Sequence, residues 1–194
     1  NFPISGTRIS AMPDLVRALA HVKKAATRAN ADLGAISRER ADAIMAACDD
    51  IVAGHLLDEF VVDVIQGGAG TSTNMNANEV ICNLALEKMG HPKAAYEVLH
   101  PNDHVNASQS TNDVYPTAVR LALWFAIGRL IDAMIQLRGS FEAKAHEFKD
   151  ILKIGRTQLQ DAVPMTLGQE FLTYAVMIEE DEQRLREARA LIEE

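Results

Sequence analysis

Apolar residues recur along most of this chain at spacings of three and four residues, which place them on one face of a helix. The alternation of apolar and polar residues that is typical of strands is nearly absent. The first predicted helix begins at Pro13 and ends before Gly34, and the second follows the cap residue Ser37 and closes near Gly54. The pattern therefore predicts a mostly helical protein.

A third helix is predicted from about Asn78 to Met89, with Gly90 as its left-handed stop. The preceding loop, residues 67–76, is rich in glycine, hydroxyl and amide residues, which let a backbone approach a ligand and supply hydrogen-bond donors. No Gly-Lys-Ser/Thr follows and no long β-branched run precedes it, so the loop is not a phosphate-binding P-loop. A flexible turn that caps the next helix is the other interpretation.

The strongest pattern is a long helix predicted from Asp113 to Phe148, in which Pro116 falls in the first turn. Such a helix would be roughly 50 Å long, more than a compact domain of this size covers. Its middle, residues 119–137, is apolar nearly all round, although two arginines and an aspartate there argue against a membrane span. Because such a helix needs other helices around it, we expect a bundle completed by other subunits.

After a polar turn, Pro164 is predicted to start a last helix, whose apolar face continues to the end of the chain. The final residues carry no glycine, no basic last turn and no other stop signal. Asn1 is not an initiator methionine. We therefore expect the chain to be an N-terminal fragment of a longer polypeptide, which also lacks its first segment.

The composition is that of a soluble globular chain, with 194 residues, 48% hydrophobic and 24% charged, enough for one domain or two small ones. A net charge of -8 without a clustered basic face argues against a nucleic-acid groove. Cys48 and Cys82 lack CxxC spacing, so they are predicted to be free, buried thiols of a reducing compartment. No signal-peptide pattern opens the chain, and we expect a cytoplasmic protein.

Three donor-rich segments beside helix ends carry the candidate chemistry: the glycine loop, the stretch leading into the long helix, and residues 155–161. In the second segment, Ser110, Thr111 and Asn112 stand where unpaired N–H groups and the helix dipole favour an anion. The same residue types are ordinary helix caps, most of which bind no ligand. A ligand site and a plain cap are both compatible with this segment taken alone.

Three longer motifs resemble those of a known family. They are GGAGTSTNMNANE at residues 67–79, HPNDHVNASQSTNDVYPT at 100–117 and GRTQLQDAVPMTLGQEF at 155–171. In this order they resemble the aspartase/fumarase superfamily, and most closely its ammonia-lyase branch, over essentially the whole chain. Such motifs are far more specific than a lone GxGxxG. The resemblance implies an all-α fold with a small N-terminal helical domain, 1–108, and the truncated start of a central helical-bundle domain, 109–194.

The resemblance also implies a homotetramer with active sites built from several subunits, and a β-elimination of ammonia from L-aspartate that gives fumarate. It implies no organic cofactor, and we expect no metal, nucleic-acid or membrane partner. Fixed uncharged donors would stabilise the doubly negative carbanion better than the substrate. The residues that the resemblance assigns to substrate binding are Gly70, Thr71, Ser72, Ser110, Thr111, Asn112, Thr157 and Gln158.

Gln158 departs from part of the superfamily, because fumarases and several relatives carry a histidine there. A glutamine does not titrate, so it only donates and accepts hydrogen bonds. Some aspartases share the glutamine, which favours ammonia release. Two alternatives stay open: a fumarate hydratase, and a noncatalytic helical oligomerisation module that keeps the fold without the chemistry.

His100 and His104 lie four residues apart, but the proline between them and the lack of a third ligand predict no metal site. In fumarases an arginine three residues before the HPND segment helps form a second anion site, and this chain has Glu97 there. Because this reverses the local charge, we expect His100, Asn102 and Asp103 to be structural.

The catalytic base that the resemblance implies is a serine on a flexible loop of GSSxMPxKxN type, and no segment of this chain matches that loop. We therefore predict no catalytic residue in this chain. The polypeptide alone is expected to lack lyase activity, although the full-length enzyme has it.

Overall fold

The structure is a computed structural model that describes residues 3–65 and 67–193. It divides into two compact units, Asn1–Leu123 and Trp124–Glu194, each described by itself below. The helices and strands are, in chain order, α1 (Pro13–Asp32), α2 (Arg38–Val52), α3 (Thr71–Lys88), α4 (Thr111–Glu147), β1 (Leu152–Thr157), β2 (Gln160–Thr166) and α5 (Leu167–Glu193). The predicted mostly helical fold is confirmed, with one two-stranded sheet added.

The helix boundaries of the first unit largely follow the sequence signals. Pro13 is the first residue of α1, where its missing N–H costs nothing. The Ser37 hydroxyl caps α2 by accepting a hydrogen bond from the Arg40 N–H at 3.4 Å. Gly90, with φ +81°, follows the end of α3 and leaves the helix in the left-handed region. These predictions are confirmed.

The predicted start of α3 at Asn78 is wrong, because the helix begins at Thr71, about two turns earlier. In its first turns, the polar residues Thr73 and Asn74 are buried. The prediction recognised a buried helix face only where the side chains are apolar. These polar residues therefore led to the first turns of the helix being predicted as a loop. The donor-rich segment is in fact part loop and part helix.

The core of the first unit lies among α1, α2 and α3, and it continues into the segment between α3 and α4. Cys48 and Cys82 are free and buried in it, as predicted, and burial raises the pKa of each thiol to about 12. The larger apolar side chains with no exposed surface are Val16, Leu19, Ile44, Ile51, Ile81, Leu86, Leu99 and Val105.

In the second unit, the predicted polar turn and the helix start at Pro164 are wrong. Residues 152–157 and 160–166 form an antiparallel hairpin, in which Pro164 pairs with Ile154. Neither strand has a second neighbour among the described residues, so a proline without an N–H donor is tolerated there. α5 begins three residues later, at Leu167.

The start of α5 is fixed by a capping box that the sequence does contain. Thr166 Oγ1 accepts a hydrogen bond from the Gln169 N–H at 3.1 Å, and Gln169 Oε1 accepts one from the Thr166 N–H at 2.9 Å. The Thr-x-x-Gln spacing was therefore the correct signal for the helix start.

α4 is a helix of 37 residues, close to the predicted span, and contributes residues to both units. Within the second unit, side chains of α4 and α5 contact each other, as in the Phe141 and Phe171 rings at 6.1 Å and the Arg138 Nε to Glu182 Oε1 ion pair at 3.0 Å. Other apolar side chains of α4, such as Leu130, remain about half exposed, at 49%. No helix in the described part of the chain is both long and apolar enough to cross a membrane.

Candidate functional site

Two hydroxyl groups stand side by side in sequence at the amino end of α4. The Ser110 hydroxyl is exposed and accepts a hydrogen bond from the Asn112 N–H at 3.2 Å. The Thr111 hydroxyl is half-buried and accepts one from Asn74 Nδ2 at 2.9 Å. Because each oxygen already accepts from an N–H group, each hydroxyl hydrogen can be donated to an acceptor outside the helix. This is an arrangement suited to an anion.

The glycine loop reaches the same helix through a direct contact between Gly70 and Tyr115. Gly70 is buried, has φ +86°, and lies so close to the ring that a Cβ atom would overlap it. Glycine is therefore required for both conformation and space. The contact holds the start of α3 beside the first turns of α4, within one unit.

Thr71 and Ser72 form the first turn of α3, directly after Gly70. Thr71 is exposed, and its hydroxyl donates to the Gly68 carbonyl oxygen at 2.7 Å, so it would have to rotate before donating to a ligand. Ser72 is half-buried. The structure thus leaves these predicted residues accessible, close in sequence to the Asn74 amide that contacts Thr111.

A network of side chains lies behind the Thr111 hydroxyl. Asn74 Nδ2 donates to Thr111 Oγ1 at 2.9 Å and to Asn106 Oδ1 at 3.2 Å. Lys23 Nζ, from α1, donates to Asn106 Oδ1 at 2.8 Å and to Gln109 Oε1 at 3.0 Å. Four segments of the first unit therefore meet at this point.

Lys23 has no exposed surface, and no carboxylate of the described residues lies within ion-pair distance of it. Burial lowers the pKa of Lys23 to about 7, and the nearby Cys48 thiol acts in the opposite direction. Lys23 was not among the residues predicted from the sequence. The sequence feature that could have indicated it is its position four residues after Leu19, on the buried face of α1.

The HPND segment forms a short π-helical turn, Pro101–Val105, that is held by its own histidines. His100 Nδ1 accepts hydrogen bonds from the N–H groups of Asn102 and Asp103, each at 3.2 Å, and His104 Nδ1 accepts one from the His100 N–H at 2.7 Å. Burial, helped by the nearby Arg40 charge, lowers the pKa of His104. Both imidazoles thus stabilise the path of the backbone towards α4.

Thr157 and Gln158 belong to the second unit, at the tip of the hairpin. Both are exposed, and Thr157 pairs with Gln160 across a two-residue turn. Gln158 and Leu159 have φ values of +48° and +66°, the left-handed conformations of a tight hairpin turn. The strand that carries Thr157 has a register irregularity between Ile154 and Arg156, where Gly155 lies.

Comparison with known proteins adds independent findings. A family model described as Lyase matches residues 1–194. The chain is 54% identical over 193 residues to an aspartate ammonia-lyase of Escherichia coli (strain K12), covering 99% of the chain and 40% of that relative. It thus spans about two fifths of the relative's length.

Two solved structures share the fold. A fumarate lyase:delta crystallin of Brucella melitensis in native form superposes with a TM-score of 0.96 at 58% identity, covering 99% of this chain and 45% of that one. A recombinant class II fumarase of Schistosoma mansoni has a TM-score of 0.86 at 38% identity, covering 93% of this chain and 38% of that one. The helical arrangement seen here is therefore also found in proteins whose structures have been solved.

Proposed function

This chain belongs to the Lyase family, whose model matches its whole length, and on that premise we propose that the complete polypeptide carrying it is an aspartate ammonia-lyase. The proposed reaction eliminates ammonia from L-aspartate and gives fumarate. The observation that carries the proposal is the pair of hydroxyls at Ser110 and Thr111, each of which accepts a protein hydrogen bond and keeps its own hydrogen for a ligand.

In the proposed reaction, a base takes a proton from the carbon next to one carboxylate of aspartate. The resulting electron pair forms the carbon–carbon double bond, and the neighbouring carbon–nitrogen bond breaks. The amino group, bound as –NH3⁺, leaves as ammonia with the bonding pair. Before the bond breaks, negative charge accumulates on the carboxylate beside the deprotonated carbon.

We assign this chain the binding of that carboxylate. Hydroxyl groups fixed at a helix start are oriented before the reaction, so they stabilise developing negative charge without reorganising. The helix amino end contributes partial positive charge to the same place. Ser110, Thr111 and Asn112 form this group, Gly70, Thr71 and Ser72 flank it, and Thr157 with Gln158 are proposed to serve a site through another subunit.

The base is assigned outside these residues, because no segment of the chain matches the serine loop implied by the resemblance. The proposal therefore gives this polypeptide alone a binding function and no turnover. Lyase activity from the isolated chain would contradict this assignment.

Fumarate hydration is the second candidate function, since a class II fumarase shares the fold. Identity to that fumarase is 38%, against 54% to the Escherichia coli ammonia-lyase, which supports ammonia release. Gln158 supports it as well, because a glutamine side chain does not titrate and so does not act as a general acid or base.

We also propose a homotetrameric assembly. Several apolar side chains of the second unit are exposed in the single chain, among them Leu130 at 49%, Leu172 at 51% and Met177 at 57%. Contact with other copies would remove this surface from water. Light scattering on the complete polypeptide tests the assembly.

The free Cys48 and Cys82 thiols support a cytoplasmic location, where thiols stay reduced.

The function is tested by supplying the complete polypeptide with L-aspartate or L-malate and following the ultraviolet absorbance of fumarate. We expect fumarate and ammonia from aspartate, and no comparable turnover of malate. Fumarate formed from malate alone would replace the proposal with a hydratase. Turnover of neither substrate by a correctly assembled protein would support the noncatalytic module.

A further inference from the structure

We propose that Lys23 is a positioning residue for the Thr111 hydroxyl and acts on it through Asn106 and Asn74. The inference rests on the proposed function, because it assigns a role within the same anion-binding group. It adds a residue from α1, which lies 88 positions before Thr111 in the sequence and has no exposed surface.

Lys23 determines the orientation of the Asn106 side chain. Its Oδ1 accepts from Lys23 Nζ at 2.8 Å and from Asn74 Nδ2 at 3.2 Å, while its Nδ2 donates to the Gln109 carbonyl oxygen at 3.2 Å. Lys23 has donors and no acceptor, so it can face only the oxygen of the amide. The lysine therefore fixes which way the Asn106 amide points.

The orientation of Asn106 in turn determines that of Asn74. Because Asn106 presents its oxygen, Asn74 must present its amide nitrogen, and the same nitrogen also donates to Thr111 Oγ1 at 2.9 Å. This donation occupies one acceptor site of the hydroxyl and leaves its hydrogen for another group. If the Asn74 amide turned over, its oxygen would accept the Thr111 hydrogen and remove the donor.

Lys23 also anchors the segment that enters α4. Lys23 Nζ also donates to Gln109 Oε1 at 3.0 Å, while Gln109 Nε2 donates to the carbonyl oxygens of Val105 and Ala107 at 2.9 and 3.1 Å. The lysine thus holds the backbone two residues before Thr111. Both contacts of Lys23 converge on the placement of the helix start.

Burial makes a purely structural role for this lysine costly. Lys23 has no exposed surface, and its acceptors are neutral amides. A buried ammonium group without a carboxylate partner opposes folding, and an apolar residue of similar length would pack there at lower cost. In its protonated form, Lys23 places a positive charge behind the anion-binding group, which suits a negatively charged ligand.

The test compares Lys23→Met with Lys24→Met in the complete polypeptide, using kcat/KM for aspartate. Lys24 is the matched control, since it is the next residue of α1 and forms a partly exposed ion pair with Asp49 at 2.5 Å. We expect K23M to lower kcat/KM roughly tenfold or more, and K24M to stay within about twofold of the parent. Equal effects of the two changes would overturn the proposal.

A double-mutant cycle separates positioning from general structural damage. Thr111→Val removes the hydroxyl, so the connection from Lys23 through Asn106 and Asn74 has no group left to position. We expect K23M to lower kcat/KM several-fold less in the T111V protein than in the parent, because only the contact with Gln109 then remains to be lost. Losses that multiply in the double variant would show that Lys23 acts independently of Thr111, and would contradict the inference.

Asn74→Leu provides a second variant in case K23M does not fold, because it breaks the same connection and leaves Lys23 in place. It is expected to give the same loss and the same non-additivity with T111V. Inactivity of the parent on aspartate would refute the proposed function instead. A crystal structure of K23M tests directly whether Lys23 positions the Thr111 hydroxyl. Loss of the Asn74–Thr111 hydrogen bond supports the proposal, and an unchanged hydrogen bond overturns it.

Discussion

The Tyr115 ring occupies the space that a Cβ atom on Gly70 would need. Gly70 is the residue directly before α3, and Tyr115 lies in the second turn of α4. The contact therefore joins the two helix starts that carry the candidate binding residues, and it explains why glycine stands at that place in the loop.

Gly70→Ala is predicted to destabilise the protein by about 2–4 kcal/mol, because left-handed strain adds to overlap with the Tyr115 ring. Denaturant unfolding measures the change. Gly34→Ala is the matched control, since Gly34 has φ +74° but no atom within 4 Å of its ideal Cβ position, so it should cost only about 1 kcal/mol. Equal losses in the two variants would show that the ring contact adds nothing.

Asp63 is predicted to make folding sensitive to acid. Its carboxylate accepts hydrogen bonds from the N–H groups of Ile4, Ser5 and Gly6 at 2.9–3.0 Å. Burial opposes ionisation, but hydrogen bonds from Ile65, Ser5 and Gly6 outweigh it and lower the pKa of Asp63 to about 2. Because the folded state holds the proton more weakly, this stabilisation is present above about pH 4 and is lost as the pH falls towards 2.

Asp63→Asn should therefore unfold at lower denaturant concentration than the parent at pH 6, and the difference should shrink as the pH falls from 4 to 2. Asp58→Asn, at an exposed position, serves as the control. A difference that is constant over this range would contradict the assignment.

Lys23 is predicted to make stability rise with pH as well, but over a higher pH range. Its pKa falls from 10.5 to about 7 on burial, so the unfolded chain binds the proton more tightly than the folded protein. The cost of burying the charge is complete below pH 7 and is relieved as the pH rises towards 10.5. Any stability advantage of Lys23→Met over the parent should therefore be largest near pH 6 and decrease up to pH 9.5, as measured by urea unfolding. An advantage that grows with pH would refute the prediction.

The hairpin turn is predicted to improve when glycine replaces Leu159. Leu159 has φ +66° and is 91% exposed, so the substitution removes left-handed strain without loss of packing. We expect Leu159→Gly to stabilise the protein by about 0.5–1 kcal/mol in thermal or denaturant unfolding. Thr173→Gly, in the second turn of α5, should destabilise by a comparable amount. A loss of stability in L159G would indicate that Leu159 makes a contact outside the single chain.

The helices were predictable because their apolar periodicity and their cap residues agree, as Pro13, Ser37 and Gly90 illustrate. The hairpin was not, since Gln158 and Leu159 adopt left-handed conformations without the usual Asn-Gly signal and Pro164 suggested a helix start. Local sequence also placed hydroxyls at the start of α4. The Lys23 network depends on contacts between residues far apart in sequence, which no local pattern contains.

An uncharged hydroxyl at the start of α4 is proposed to bind a dicarboxylate. The most direct test compares kcat/KM for aspartate in the Thr111→Val variant with that in the Thr117→Val variant. Thr117 is the control, because it lies six residues after Thr111 in the same helix. Its exposed hydroxyl donates to the Asp113 carbonyl oxygen at 2.6 Å. In the complete polypeptide, T111V should lower kcat/KM about a hundredfold, because it removes one preorganised donor to the negative charge that develops in the reaction. T117V should keep kcat/KM within about twofold of the parent. An active parent whose T111V variant matches T117V would contradict the account.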